Sequence, residues 1–178
     1  GEEVLLSRGL GGKRPSVRAL IWPRFGNAAA PGKMAEKNGS QGFIEPDPVN
    51  GGARPYNRTA RLCKALWNIL SQSGLRSNVV GWWASHPAEP INGTIVTNAF
   101  GGVKFERERG WTIPKGAVHP AEQGASLARC KVFPTELGEE HILPFIPCAA
   151  EIDQTKDRRL DSFARVLADA ASTHGVAT

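Results

Sequence analysis

The stretch Asn78-Val79-Val80-Gly81-Trp82-Trp83-Ala84-Ser85-His86-Pro87-Ala88-Glu89-Pro90-Ile91-Asn92-Gly93-Thr94-Ile95-Val96-Thr97 decides the fold. It opens on a short apolar run, Val79 to Trp83, that reads as a buried strand. A turn signal at Asn92-Gly93 precedes a second short strand, Thr94 to Thr97. Just upstream, Leu62, Ala65, Leu66, Ile69 and Leu70 recur at helical spacing. That spacing predicts a helix from Asn57 or Arg58 to Ser73, with Asn57 as N-cap and Gly74 just past its end. Helix, turn and apolar strand make half of an α/β unit. The expectation is therefore an α/β fold with at least one parallel pairing, and with the strand Val79 to Trp83 central and buried.

Toward the N-terminus the pattern fades. Gly11-Gly12, Pro15, Pro23, Pro31-Gly32, Pro46, Pro48 and Gly51-Gly52 interrupt residues 1 to 57, which read as loop with a short helix near Met34 to Lys37. Toward the C-terminus, residues 98 to 118 read as an excursion. Pro120 opens a helix over Ala121 to Arg129, and Pro134 opens another. Asp153 to Ala171 reads as the last helix, with Leu160, Phe163, Ala164, Leu167 and Ala170 on one apolar face. Two segments follow: an irregular one over residues 1–32 and a domain over 33–178.

Composition narrows the function classes. The 178 residues can bury a sizeable core, and a 40% hydrophobic content is ordinary for a globular chain. No run approaches the roughly 18 apolar residues of a membrane span, so no membrane partner is expected. No basic segment followed by an apolar one marks a signal peptide, which favours the cytoplasm; the chain starts at Gly1 rather than Met, and the location stays open. The net charge is +5, but the basic residues are scattered and no basic stripe carries interleaved aromatics, so nucleic acid is not an expected partner. Arg58, Arg61 and Lys64 share one helical segment. Cys63, Cys130 and Cys148 are odd in number and far apart, which argues against a disulfide framework or a zinc site and for buried free thiols.

Ligands of open α/β sheets gather at the carboxyl ends of strands. The loop leaving Val79 to Trp83 offers a ring face (Trp83), an imidazole (His86), a carboxylate (Glu89) and an amide (Asn92). These four are the candidate site residues, with stacking assigned to Trp83 and polar positioning to the other three. The competing reading makes the loop a structural connector, stiffened by Pro87 and Pro90, with the tryptophans in the core. Other clusters carry less. Asp153, Asp157 and Asp161 stand four apart and read as a solvated acidic stripe on the last helix. Glu139-Glu140-His141 reads as an exposed helix start. Ser71 and Ser85 have no identifiable base and acid partners, so no serine triad is assigned.

Several motifs in order carry a family resemblance. Lys64-Ala65-Leu66-Trp67-Asn68-Ile69-Leu70-Ser71 is followed by Val79 to Gly93, then by Trp111 to Pro120 with Ala117-Val118-His119-Pro120. Glu139 to Pro147 and Ala150-Glu151-Ile152-Asp153-Gln154 come last. Together, from about residue 33 to 174, they resemble the bacterial type I phosphodiesterase/nucleotide pyrophosphatase group of the alkaline phosphatase superfamily. The resemblance implies a partial alkaline-phosphatase-like core, a mainly parallel sheet with helices on both faces. It also implies hydrolysis of a small-molecule phosphate ester with two divalent metal ions, usually zinc, and a Thr or Ser nucleophile.

The chain departs from that pattern where the chemistry resides. Similar proteins read W-T-S-I-A-T-G-K and then K-H-G-I. Here Trp22 is followed by Pro23 in place of a hydroxyl, Trp22 and Lys33 stand four residues too far apart, and Asn38 replaces the histidine. No Asp precedes Asp47, and no late Asp-His motif follows. Neither catalytic residues nor metal ligands are therefore assigned, and no cofactor is expected for this chain alone. Two readings remain: the middle section of a metal-dependent phosphoesterase, inactive in isolation, or a non-catalytic, degenerate paralogue that acts as a binding module.

Overall fold

The alternation of side chains along two short strands organises the fold. The computed structural model describes residues 29, 31–32, 35–39, 43–101, 105–106, 110–154 and 157–178. A short helix α1 (Ala35–Asn38) precedes a hairpin of β1 (Ile44–Pro46) and β2 (Ala53–Pro55). Helix α2 (Leu66–Gln72) leads into β3 (Ser77–Val80), and β4 (Gly93–Val96) pairs with β3 in parallel. A small hairpin of β5 (Phe105–Glu106) and β6 (Gly110–Trp111) intervenes before β7 (Val118–His119), which joins β4 antiparallel. Short helices α3 (Gly124–Leu127) and α4 (Glu139–Ile142) precede the long C-terminal helix α5 (Arg159–Ala177).

Successive residues of a strand face opposite sides of the sheet. Val79 and Ile95 pack with Ala65 and Trp67 at α2, and with Trp82, Ala88 and Ile91. Their neighbours Val80 and Val96 face the other way and pack with Phe100, Ala117, Val118, Leu127 and Val176. The sheet thus separates two cores, with α2 on one face and α5 on the other. Val79 and Val80 each need an apolar environment, as do Ile95 and Val96. A strand buried on both faces reads as a continuous apolar run for this reason.

The α/β reading and its parallel pair are present, and three corrections follow. The sheet order is β3-β4-β7. The central strand is therefore β4, and β3 lies at the edge among the described residues. β3 also ends at Val80, because Gly81 turns left-handed (φ 64°) while its amide donates to the Val96 carbonyl at 2.8 Å. Antiparallel pairings outnumber the parallel one among the described residues.

Helix boundaries moved as well. Asn57 does act as a cap, but of a separate single turn of 3-10 helix over Arg58–Ala60, its Oδ1 accepting from the Thr59 amide at 2.8 Å. α2 starts only after Ala65, whose amide donates to Asn68 Oδ1 at 2.8 Å. Ala65 is fully buried, so a polar N-cap side chain has no room there. The C-terminal end follows the expected pattern: Gly74 is left-handed (φ 75°) and the Leu75 amide returns to the Leu70 carbonyl.

The last helix begins at Arg159, six residues later than expected. Its buried positions are Leu160, Ala164, Ala168 and Ser172, and Ala170 of the expected face is exposed. Asp153 and Asp157 consequently lie before the helix, so no acidic helical stripe forms. Asp157 instead accepts from the Arg159 guanidinium at 2.6 Å on an exposed surface. The hairpin β1–β2 occupies a stretch read as loop; an Asp47 turn and the Asn50 side chain, accepting from the Gly52 amide, close it. The helix expected over Ala121 to Arg129 forms as a 3-10 turn, one α turn and a second 3-10 turn over 121–130. Cys148 is exposed and Cys63 and Cys130 are partly so, rather than buried. Most of 1–32, the altered nucleophile stretch included, lies outside the described residues.

Candidate functional site

A parallel pair requires its connection to travel back along the whole strand length. Residues 81–92 do so without a helix. The loop leaves the carboxyl end of β3 and re-enters at the amino end of β4. The four candidate residues are strung along that path, and the structure brings only Trp83 and His86 to the carboxyl end.

Asn98, immediately after β4, organises that end. Its Oδ1 accepts from the amides of Ser85 at 3.1 Å and His86 at 3.3 Å. Ser85 Oγ donates to the Trp82 carbonyl at 2.6 Å. Between them Ala84 is buried with a left-handed backbone (φ 58°), a conformation that costs a non-glycine residue roughly 1 kcal/mol or more. The fold imposes that conformation where the chain must turn sharply out of the sheet, as it does at many ligand loops.

His86 is partly buried. Its Nδ1 lies 3.4 Å from Thr97 Oγ1, and its carbonyl accepts from the Arg58 amide at 2.8 Å. Burial holds its pKa below the ordinary 6.5, only partly offset by a hydrogen bond with the Gly116 backbone. The imidazole is therefore neutral near neutral pH, with one nitrogen able to accept. Trp83 meets Phe43 edge-on, ring centroids 5.5 Å apart. Its indole N–H is buried and has no partner among the described residues. A buried donor without an acceptor is uncommon, and a buried water oxygen is one group that satisfies it.

Glu89 has a different employment from the one expected. It is only 8% exposed and lies against α2. Its Oε1 accepts from Arg61 Nη2 at 2.5 Å and from Trp67 Nε1 at 2.6 Å, and Oε2 lies 3.4 Å from Arg58 Nη1. Burial pushes the carboxyl up, but the hydrogen bonds from Trp67, Arg61 and Asn68 and the Arg61 charge outweigh it and hold the pKa below the ordinary value. This carboxylate ties the connector to the helix and is occupied internally.

Asn92 is corrected more plainly. It sits at the amino end of β4, where its Nδ2 donates to the Gly74 carbonyl at 3.0 Å and its amide to Ser71 Oγ at 2.9 Å. It fastens the loop to the end of α2, at the opposite end of the sheet from His86.

Sequence reasoning missed Thr97 and Asn98. The rule that drew attention to the carboxyl end of the first strand applies equally to the second, and would have found them. It placed Arg58, Arg61 and Lys64 on one helical segment but gave them no role, and the fold gathers them around one cleft. Among the described residues no three His, Cys, Asp or Glu side chains come together as a metal would need. His86, the one imidazole of the loop, has a hydroxyl and backbone around it rather than carboxylates. The described residues therefore do not fit a two-metal centre, and no step is derived through one. No described helix is long and apolar enough to cross a membrane. Comparisons of the chain with protein-family models, with curated proteins and with solved structures return no match.

Proposed function

We propose that this chain is the middle section of a metal-dependent phosphoesterase domain of the phosphodiesterase/nucleotide pyrophosphatase type, with the nucleophile and the metal ligands contributed by sequence outside it. In that reading the core is a partial alkaline-phosphatase-like sheet, the substrate is a small-molecule phosphate ester, and two divalent ions act in the complete domain. The 178-residue chain binds but does not turn substrate over.

One observation carries the reading. The motif-bearing loop leaves the carboxyl end of a parallel strand pair with His86 beside Thr97 and Asn98. In α/β sheets that end is where ligands bind. A neutral imidazole and an unpartnered indole N–H suit the holding of a polar group and its orientation. A non-catalytic binding module is the second reading. It is favoured by Glu89, the loop's one carboxylate, being held by Arg61 and Trp67 and so unable to act as a base.

The test takes the longest reading frame that contains this segment and assays it on bis-para-nitrophenyl phosphate. Hydrolysis that a chelator abolishes and zinc restores supports the phosphoesterase reading. A folded product of that frame that binds no zinc and shows no hydrolysis leaves the binding module as the function.

A further inference from the structure

A cleft of about 380 Å³ opens between the 3-10 turn over Arg58–Ala60 and helix α2, lined by Arg58, Arg61, Lys64, Asn68, Gln72 and Glu89 among others. Trp83, His86 and Asn92 are not part of it. Three cationic side chains face one carboxylate there, so the lining carries a net charge of about +2.

The hydrogen-bond inventory of the lining is one-sided. Asn68 Oδ1 already accepts from the Ala65 amide at 2.8 Å and from Arg61 Nη2 at 3.3 Å. Gln72 Oε1 accepts from Lys64 Nζ at 3.0 Å. The Cys63 carbonyl accepts from Arg61 Nε at 3.0 Å. Glu89 Oε1 is taken by Arg61 and Trp67. The acceptors are thus largely engaged inside the protein, and the Asn68 amide is turned toward Glu89; the groups left over are donors: the amide nitrogen of Gln72, the remaining hydrogens of Lys64, and Arg58. Arg58 stands out. Among the described residues its Nε is buried without a partner, and its one ion-pair contact is the long one, 3.4 Å, to Glu89 Oε2. A buried guanidinium N–H without an acceptor is costly in the absence of a ligand.

From this we propose that the cleft is an anion site for a phosphate group, separate from the carboxyl-end loop. A phosphate presents only acceptor oxygens and up to two negative charges, which matches a donor-rich, doubly positive lining. Arg58 gives it the exposed edge of its guanidinium, Lys64 the mobile ammonium. Arg61 lies beneath, fixed by Glu89 and by its stacking over Trp67 at 5.3 Å, and acts as a positioning residue. The site does not depend on the phosphoesterase reading, since it needs no metal and no reaction.

The experiment titrates inorganic phosphate into the full chain at constant ionic strength, followed by calorimetry and by the side-chain Nε resonances of the arginines. The expected result is saturable binding at one site that moves the Arg58 Nε–H signal, and about tenfold weaker binding for Lys64→Ala, as loss of one charge-assisted hydrogen bond implies. Lys64 is exposed, so its removal leaves the fold intact, which circular dichroism checks. Arg58→Lys keeps the charge but removes the fork and weakens binding as well. Absence of saturable binding, or binding equally strong in wild type, Lys64→Ala and Arg58→Lys, overturns the site. Hydrolysis by a longer reading frame bears on the other proposal and leaves this one untouched.

Discussion

Glu89 Oε1 accepts the indole N–H of Trp67 at 2.6 Å, across 22 residues of sequence. The bond joins the loop connecting the two parallel strands to the first turn of α2. The same oxygen accepts from Arg61, itself only 11% exposed in its side chain. One carboxylate therefore holds helix, turn and crossover in register.

Removing that carboxylate leaves a buried guanidinium without its counter-charge. Glu89→Ala is expected to lower unfolding free energy by about 3–5 kcal/mol, the usual cost of breaking a buried pair from one side. Glu89→Gln, which keeps an acceptor oxygen, should lose clearly less. Urea denaturation of both variants checks the order. Equal and small losses would mean that the network contributes little.

Stability should respond to acid in two stages. His86 has its pKa depressed below 6.5, so the unfolded chain binds the proton more readily; its share of stability is complete above 6.5 and is lost as pH falls from there through the folded value. Glu89 is likewise depressed, and its share is present above 4.5 and lost as pH falls through its folded pKa. The urea midpoint should stay level in neutral solution, decline gently below 6.5, then more steeply below 4.5. His86→Gln should abolish the first decline and keep the second. A midpoint that rises on acidification contradicts both assignments.

Gly93 stands opposite Ser77 in the parallel pair. A methyl group there would lie 2.0 Å from the Ser77 carbonyl oxygen, on a backbone with φ 139°. Gly93→Ala must therefore push β3 and β4 apart. A loss of more than about 2 kcal/mol is expected, from overpacking plus an incompatible backbone. Thermal unfolding followed by far-UV circular dichroism measures it, and a wild-type melting temperature would show that the pairing is misdescribed.

The two ends of the crossover should respond differently. Asn92→Ala frees the Gly74 carbonyl and is expected to cost about 1 kcal/mol of stability, as for a typical hydrogen bond. In an active protein carrying the same loop it should leave kcat/KM unchanged. His86→Ala in that protein should lower kcat/KM with metal content unchanged, because the imidazole lies at the carboxyl end of the strands, where the proposed function puts the substrate. A fall in kcat/KM for Asn92→Ala of the same size would place both residues on one surface.

Local signals that depend on a few neighbouring residues were legible in the sequence. The apolar pairs Val79-Val80 and Ile95-Val96 declared strands, and Gly74 declared a helix end. Helical spacing identified α2 and α5 in kind. Their starts were misjudged because a helix start is set by what the first turn packs against. Ala65 must be apolar to be buried, and Asn57 caps a separate turn. The hairpin β1–β2 was masked by its prolines, which mark loops when read locally yet are tolerated on edge strands.

The sequence by itself determined that strands with two apolar faces follow a helix, and that the connecting loop carries Trp83, His86, Glu89 and Asn92. Only the tertiary structure decided which of these stand at the carboxyl end of the strands. Because β3 and β4 are parallel, the loop must run the full length of the sheet, so residues adjacent in sequence end at opposite edges. Glu89 passes under α2 and is drawn inward by Arg61 and Trp67, and Asn92 reaches the far end. The spacing of residues along a loop fixes neither its path nor the partners waiting along it, and those partners come from segments remote in sequence.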